Sequence, residues 1–250
     1  MSVPEEATDI DVVRLGPLPS PAPWMSHVES HKAWMSVRDA DLLERLLVLQ
    51  AARLGGLMRV LEWGAGRSSL WFSDVLRRHR VRCHWLSIEH HREFFLEDVA
   101  PELAKRPDAG HVLAEDLGDP SALAFEGGPG LCAIVFDAGE LRPFERGTEH
   151  DRIANLDDYV ALPGQTGLRF DLVVVDGRKR RRCLLEASRL LTPAGLVVLH
   201  DAWRRHYQCA FSAYRFGQRI GDELWVGAQH APGLDALLPA HALGGHLEHG

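Results

Sequence analysis

The sequence predicts an α/β fold, a mostly parallel sheet with helices on both faces. Three observations carry that prediction. From residue 58 onward, short apolar runs alternate with segments of helical spacing. Three of the apolar runs end in an acid, at Glu62, Glu89 and Asp176. The run from Phe170 to Val175 contains consecutive valines, as expected of a central strand buried on both faces.

The whole chain sets bounds on this fold. Its 250 residues suit one domain with insertions, and 46% apolar content is ordinary for a globular protein. No apolar run reaches the ~18–20 residues that span a bilayer. The N-terminus has Glu5 and Glu6 and lacks a basic start and an apolar core, so no signal peptide is expected. Cys83, Cys132, Cys183 and Cys209 are widely spaced and form no C-x-x-C pair, which argues against a zinc knuckle or a disulfide scaffold. A cytoplasmic protein is expected, without a membrane partner. The formal charge of −7 disfavours nucleic acid as a partner. A homodimer is left open.

In chain order, residues 1–23 read as a flexible arm, because Pro17, Pro19, Pro21 and Pro23 forbid a helix. Residues 24–57 read as a helical cap. In it Ser36 caps a helix whose Leu42, Leu43, Leu46 and Leu47 recur at helical spacing. Trp24 and Trp34 either form part of a lid or anchor the arm.

The first strand is Met58–Trp63, followed by the turn Gly64-Ala65-Gly66 and a helix to about His79, with Ser68 and Ser69 able to cap it. The glycines let the backbone turn sharply and pass close to a ligand. The second strand is His84–Glu89, then a helix over His90–Leu103. A third short strand is expected at His111–Ala114 with Glu115 and Asp116 beyond it. Residues 118–168 are longer than a usual connection and read as an insertion carrying substrate contacts. They include a strand-like run, Leu131–Phe136, and a polar loop through Arg146, His150 and Asp151.

The fourth strand, Phe170–Asp176, leads through Gly177 and five cations, Arg178 to Arg182, into a helix over Cys183–Leu191. A turn at Thr192–Gly195 and a strand at Leu196–His200 follow, ending at Asp201. Residues 228–250 read as a loose tail, in which His241 and His246 make no metal site.

Glu62 precedes the first glycine, where an acid suits a cationic amino-acid group and repels pyrophosphate. The third glycine of a dinucleotide fingerprint is replaced by Ser69. Glu89 ends the second strand, where one carboxylate accepts two neighbouring ribose hydroxyls. Its alternative is a helix cap. The basic run at a helix start opposes the helix dipole. Either an acidic substrate or acids elsewhere in the protein would offset it.

The pattern E-x-G-x-G-x-S at 62–68, the D-x-V-x-V-D-G-like run ending at Asp176-Gly177, the helix end L-L-x-P-x-G and V-V-L-H-D at 197–201 together resemble class I S-adenosylmethionine-dependent methyltransferases. The resemblance covers about residues 58–227 and implies a Rossmann-like sheet with its last strand antiparallel. It implies S-adenosylmethionine as cofactor, held by Glu62, Gly64, Ala65, Gly66, Ser68, Glu89, His90, Asp116 and Asp176.

A partial similarity to catechol O-methyltransferase-like enzymes implies Asp176 and Lys179 as catalytic residues, with Asp176 and Asp201 as ligands of Mg²⁺; His200, at the adjacent strand end, joins them as a catalytic residue. Ala202 departs from that pattern, because a third metal ligand stands there in the family. Without metal, His200 is the general base. The implied activity is O-methylation of a hydroxyl or carboxylate on a small-molecule acceptor, one that carries acidic groups or belongs to secondary metabolism. The alternatives are non-methyl transfer or cyclisation on the same fold, a donor-binding module without turnover and, more distantly, a nicotinamide-dependent oxidoreductase.

Overall fold

The computed structural model describes residues 31–123, 129–138, 154–231 and 238. Trp24, the proline-rich arm, the polar loop through Arg146, His150 and Asp151, and His241 and His246 lie outside the described residues.

Eight strands form one sheet in the order β3-β4-β2-β1-β5-β6-β8-β7. At its centre β1 (Met58–Trp63) pairs in parallel with β2 (Cys83–Glu89) on one side and with β5 (Phe170–Val175) on the other. The chain therefore leaves β1 in one direction and returns on its opposite edge. That reversal opens a crevice at the carboxyl ends of the strands. Beyond β5 lies β6 (Leu191–Leu199), parallel to it. The hairpin of β7 (Phe216–Ile220) and β8 (Leu224–Ala228) closes that edge, with β8 antiparallel to both neighbours.

Period-two alternation assigns each strand residue to one of two cores. Met58, Val60, Trp85, Leu172, Val174 and Val198 face α1 (Val37–Leu54) and α2 (Arg67–Arg78). Leu61, Trp63, Leu86, Ile88, Val173 and Val175 pack with residues of the helices on the other side. The helix before β5 is Asp157–Gln165 and the one before β6 is Arg180–Leu190. Ser36 caps α1 as its sequence predicts, accepting from the Asp39 N–H. Asp39 in turn accepts from the N–H groups of Asp222 and Glu223, which fastens the start of α1 to the β7–β8 turn.

Three elements differ from expectation. The strand β3 (Ala109–Leu113) is the sheet edge and does not touch β2. Between them lies β4 (Gly130–Val135), whose apolar run falls inside the segment read as an insertion. The chain across Thr192–Gly195 forms no separate turn. It belongs to β6 as a bulge, with the register jumping from Phe170↔Leu191 to Leu172↔Leu196. The helix after β5 starts at Arg180, so three of the five cations lie in its first turn. Among the described residues no helix is long and apolar enough to cross a membrane.

Candidate functional site

A cleft of about 630 Å³ opens at the carboxyl ends of β1, β2 and β5. Its volume lies within the ~300–1,000 Å³ of small-molecule sites. The β1–α2 turn forms one wall through Gly64, Ala65, Gly66, Arg67 and Ser68. Glu89, His90 and His91 follow β2, and Asp176, Gly177, Arg178 and Arg180 follow β5. Trp34, Phe94, Asp98 and Val99 complete the lining. Asp98 and Val99 belong to a π-helical turn, Phe95–Val99, set between two short α-helical pieces. Such turns recur where a helix is shaped around a site.

Two glycines make the cleft floor. Gly64 has φ +106°, and a Cβ there would lie 2.8 Å from the Gly177 nitrogen. A Cβ on Gly177 would collide with the Tyr159 hydroxyl and lie 2.8 Å from the Gly64 nitrogen. The two turns therefore meet backbone to backbone, and a side chain on either would push them apart. At Gly66 the nearest atom to a Cβ is Phe94 Cζ at 3.9 Å. The protein itself leaves that space free, so a Cβ there would fill the cleft.

Glu62 does not line the cleft. Its side chain shares a sheet face with Met58 and Val60, pointing under α2, and it is fully buried. Ser68 and Ser69 hydroxyls each donate to it at 2.5 Å, and Trp85 Nε1 and the Ser87 hydroxyl donate at 3.0 Å. Burial pushes its carboxyl up to about 7, and these four donors hold it from rising further. Glu62 was expected to contact a cationic ligand; in the structure its oxygens accept from the protein's own donors. Its work is to pin the start of α2 to β1 and β2. The Ser69 hydroxyl also accepts from the Gly66 N–H, completing the helix cap.

Glu89 does reach the cleft. It is 4% exposed, and its Oε1 accepts from the His91 N–H at 2.9 Å. His90 Nδ1 lies 2.7 Å from the same oxygen. Both contacts use Oε1, which leaves Oε2 to accept from a ligand. The capping and ligand readings of Glu89 are thus compatible, one oxygen for each. Phe94 stacks on His91 at 6.1 Å and lies 5.9 Å from Trp34, giving an aromatic wall suited to a planar base.

Asp116 is exposed and outside the cleft wall. The physical reason is β4, which displaces β3 by one further strand spacing, ~4.8 Å, from β2. Asp116, expected at the adenine, thus stands apart from the cleft lining.

At the ends of β5 and β6 the arrangement is ionic. His200 is 7% exposed, lies on the face of Val198 toward α1, and does not line the cleft. Its Nδ1 is 2.8 Å from Asp176 Oδ1. Its Nε2 faces Glu223 Oε2 at 3.5 Å, an ion pair without hydrogen-bond geometry. Burial alone would lower its pKa, but Asp176, Glu223 and Asp201 outweigh that and raise it to about 10. These acids favour the imidazolium, and His200, expected as general base, faces Asp176 and Glu223 outside the cleft lining. Asp39, His200 and Glu223 bring three ligand-capable atoms within 4.8 Å of one another. The imidazolium supplies the positive charge among these acids.

Lys179, also expected as a catalytic residue, likewise stands outside the cleft lining. It is the left-handed cap residue of the following helix, with φ 51°. Arg180, one position on, takes the place beneath Asp176. Its Nη2 meets Asp176 Oδ1 and its Nη1 meets Asp201 Oδ2, each at 3.0 Å. Nη1 also donates to the His200 carbonyl, Nη2 to the Asp176 carbonyl and Nε to the Gly177 carbonyl. Arg204 holds the same Asp201 oxygen at 2.9 Å. A divalent ion would need both carboxylates at ~2.0–2.6 Å from one point. Three side-chain cations already neutralise the pair, so Asp176 and Asp201 do not fit the expected Mg²⁺ site.

The charge of the basic run is offset within the protein at two positions: Arg180 on Asp176 and Asp201, and Arg182 on Asp157 at 2.5 Å. Sequence reasoning missed Gly177, Arg180, Phe94 and the π-helical turn. The i,i+4 spacing of Asp176 and Arg180 was the available signal for the second.

No family model matches the chain, and no curated protein matches it in sequence. Similar solved structures include a methyltransferase-like protein from Silicibacter pomeroyi, 19% identical over 86% of this chain and 100% of that one, with a TM-score of 0.46. The citrinin polyketide synthase CMeT domain is 11% identical over 80% of this chain and 55% of that one, with a TM-score of 0.43. The mycinamycin-pathway methyltransferase MycE, solved with Mg, SAH and mycinamycin VI, is 13% identical over 83% and 50%, with a TM-score of 0.40. The chain thus spans about half the length of the last two. At these scores the likenesses carry no argument about activity.

Proposed function

We propose that the chain is an S-adenosylmethionine-dependent methyltransferase acting on a small-molecule acceptor. One observation carries this reading. A tight glycine turn and a strand-end carboxylate with one oxygen to spare line one cleft walled by aromatics. Glu89 would accept the ribose hydroxyls, Gly64 and Gly66 would let the backbone approach the donor's amino-acid part, and His90, His91 and Phe94 would flank the base. The bound donor supplies an electrophilic methyl on a sulfonium. The protein's contribution is to hold donor and acceptor in line and exclude water.

Within O-methylation, a carboxylate acceptor is the better match. It is ionised at neutral pH without help, and His200 is held as a cation away from the cleft. The same lack of a base at His200 favours, as a second reading, a donor-binding module without turnover. Formation of S-adenosylhomocysteine in the presence of acceptor separates the two.

Glu89→Gln tests the donor half. It keeps the shape and loses the charge-assisted acceptor, so S-adenosylhomocysteine affinity should fall at least tenfold with the fold intact. Unchanged affinity would overturn the assignment of the ribose site.

A further inference from the structure

We propose that Arg180 is the resident cation of this site, a covalently attached occupant of the position between two strand-end carboxylates where a divalent ion would otherwise sit. It rests on the ion-pair geometry of the chain and does not depend on the methyl-transfer reading.

The guanidinium donates four hydrogen bonds, to the Gly177, Asp176 and His200 carbonyls and to Asp201 Oδ2, and its Nη2 is ion-paired with Asp176 Oδ1 at 3.0 Å. A guanidinium so held has most of its donors committed to the protein. Its role is therefore positional, and it is not a catalytic residue. It ties the end of β5 to the end of β6 and fixes the Asp176-Gly177 turn, whose backbone abuts Gly64 on the cleft floor. A metal bridging two aspartates would do the same, but it could be lost to a chelator. Arg180 is only 13% exposed and permanently charged.

The surroundings favour this occupant over an ion. Asp176 is shared between Arg180 and His200, and Asp201 between Arg180 and Arg204. Around the two carboxylates a further divalent charge would be repelled. Ala202, fully buried in the apolar core on the sheet face opposite α1 and α2, offers no third ligand.

The consequence is testable with Mn²⁺ alone, read by electron paramagnetic resonance on the full chain. Wild type should bind no Mn²⁺ at this pair, and EDTA should leave its melting temperature unchanged. Arg180→Met removes the cation that bridges the two carboxylates, leaving His200 beside Asp176 and Arg204 beside Asp201, and should bind one Mn²⁺ at least tenfold more tightly than wild type. Asp201→Asn placed in that variant should abolish the gain. Arg180→Lys restores a cation and should return Mn²⁺ binding toward the wild-type level. The proposal is overturned if wild type binds Mn²⁺ and Asp176→Asn or Asp201→Asn removes it. A folded Arg180→Met that gains no Mn²⁺ site would also overturn it. Should Arg180→Met fail to fold, wild type and Arg180→Lys still decide: Mn²⁺ bound at the aspartates in either refutes the resident cation, and none in both supports it.

Discussion

Replacing Glu62 tests how the glycine turn is held. Glu62→Ala removes the acceptor of two serine hydroxyls, a third serine hydroxyl and an indole N–H, all buried. Trp85 and Ser87 retain bonds to Ser87 and Ser69 oxygens, so the Ser68 and Ser69 hydroxyls are the donors left stranded. At ~1–3 kcal/mol for each buried unpaired group, plus the cavity, the loss is about 3–5 kcal/mol.

Glu62→Gln separates charge from shape. The folded carboxyl sits at about 7 against an ordinary value of 4.5. The folded state thus holds a proton that the unfolded chain has released. Glu62's contribution is fully present below pH 4.5 and is lost as pH rises through 7. Between about pH 5 and pH 8 the stability of wild type relative to Glu62→Gln should fall by about 2–3 kcal/mol. Urea unfolding followed by tryptophan fluorescence measures both effects. A cost below about 1 kcal/mol for Glu62→Ala, or parallel pH profiles for wild type and Glu62→Gln, would refute the buried-anchor account.

Two further predictions follow from the same geometry. Gly177→Ala places a Cβ against the Tyr159 hydroxyl and the Gly64 nitrogen, so it should cost about 1–3 kcal/mol and weaken S-adenosylhomocysteine binding by tenfold or more. An alanine variant with unchanged affinity in calorimetry would show that the two turns do not shape the cleft. His200, raised from 6.5 to about 10, stabilises the fold fully below pH 6.5 and loses that contribution as pH rises through 10. The stability advantage of wild type over His200→Asn should therefore shrink on going from pH 7 to pH 10, and the imidazole NMR signals should titrate near the upper value. Titration near 6.5 would return His200 to the list of candidate bases.

The central sheet was legible because its strands are apolar on both faces and end in acids or glycines. Met58–Trp63 falls on β1 residue for residue, and Ser36 caps α1 where expected. The position of β4 was not legible. A short apolar run after a long polar stretch does not say which neighbour it pairs with, and so does not show that β3, and Asp116 after it, lie one strand further from β2. Glu62 and His200 were read as site residues because they end strands. Alternation carries the correction, since Glu62 follows Val60 and His200 follows Val198 onto the face covered by α1 and α2. Glu89 escapes that cover, because β2 runs one residue past the end of its pairing with β1 at Trp63↔Ile88. The choice of Arg180 over Lys179 depends on the left-handed turn at Lys179, which composition does not announce.

The most direct test of the donor-site reading is a calorimetric titration of the wild-type chain with S-adenosylhomocysteine, repeated with NAD⁺. Saturable micromolar binding of S-adenosylhomocysteine and none of NAD⁺ is the result the cleft predicts. Binding of NAD⁺ without S-adenosylhomocysteine, or of neither, would contradict it.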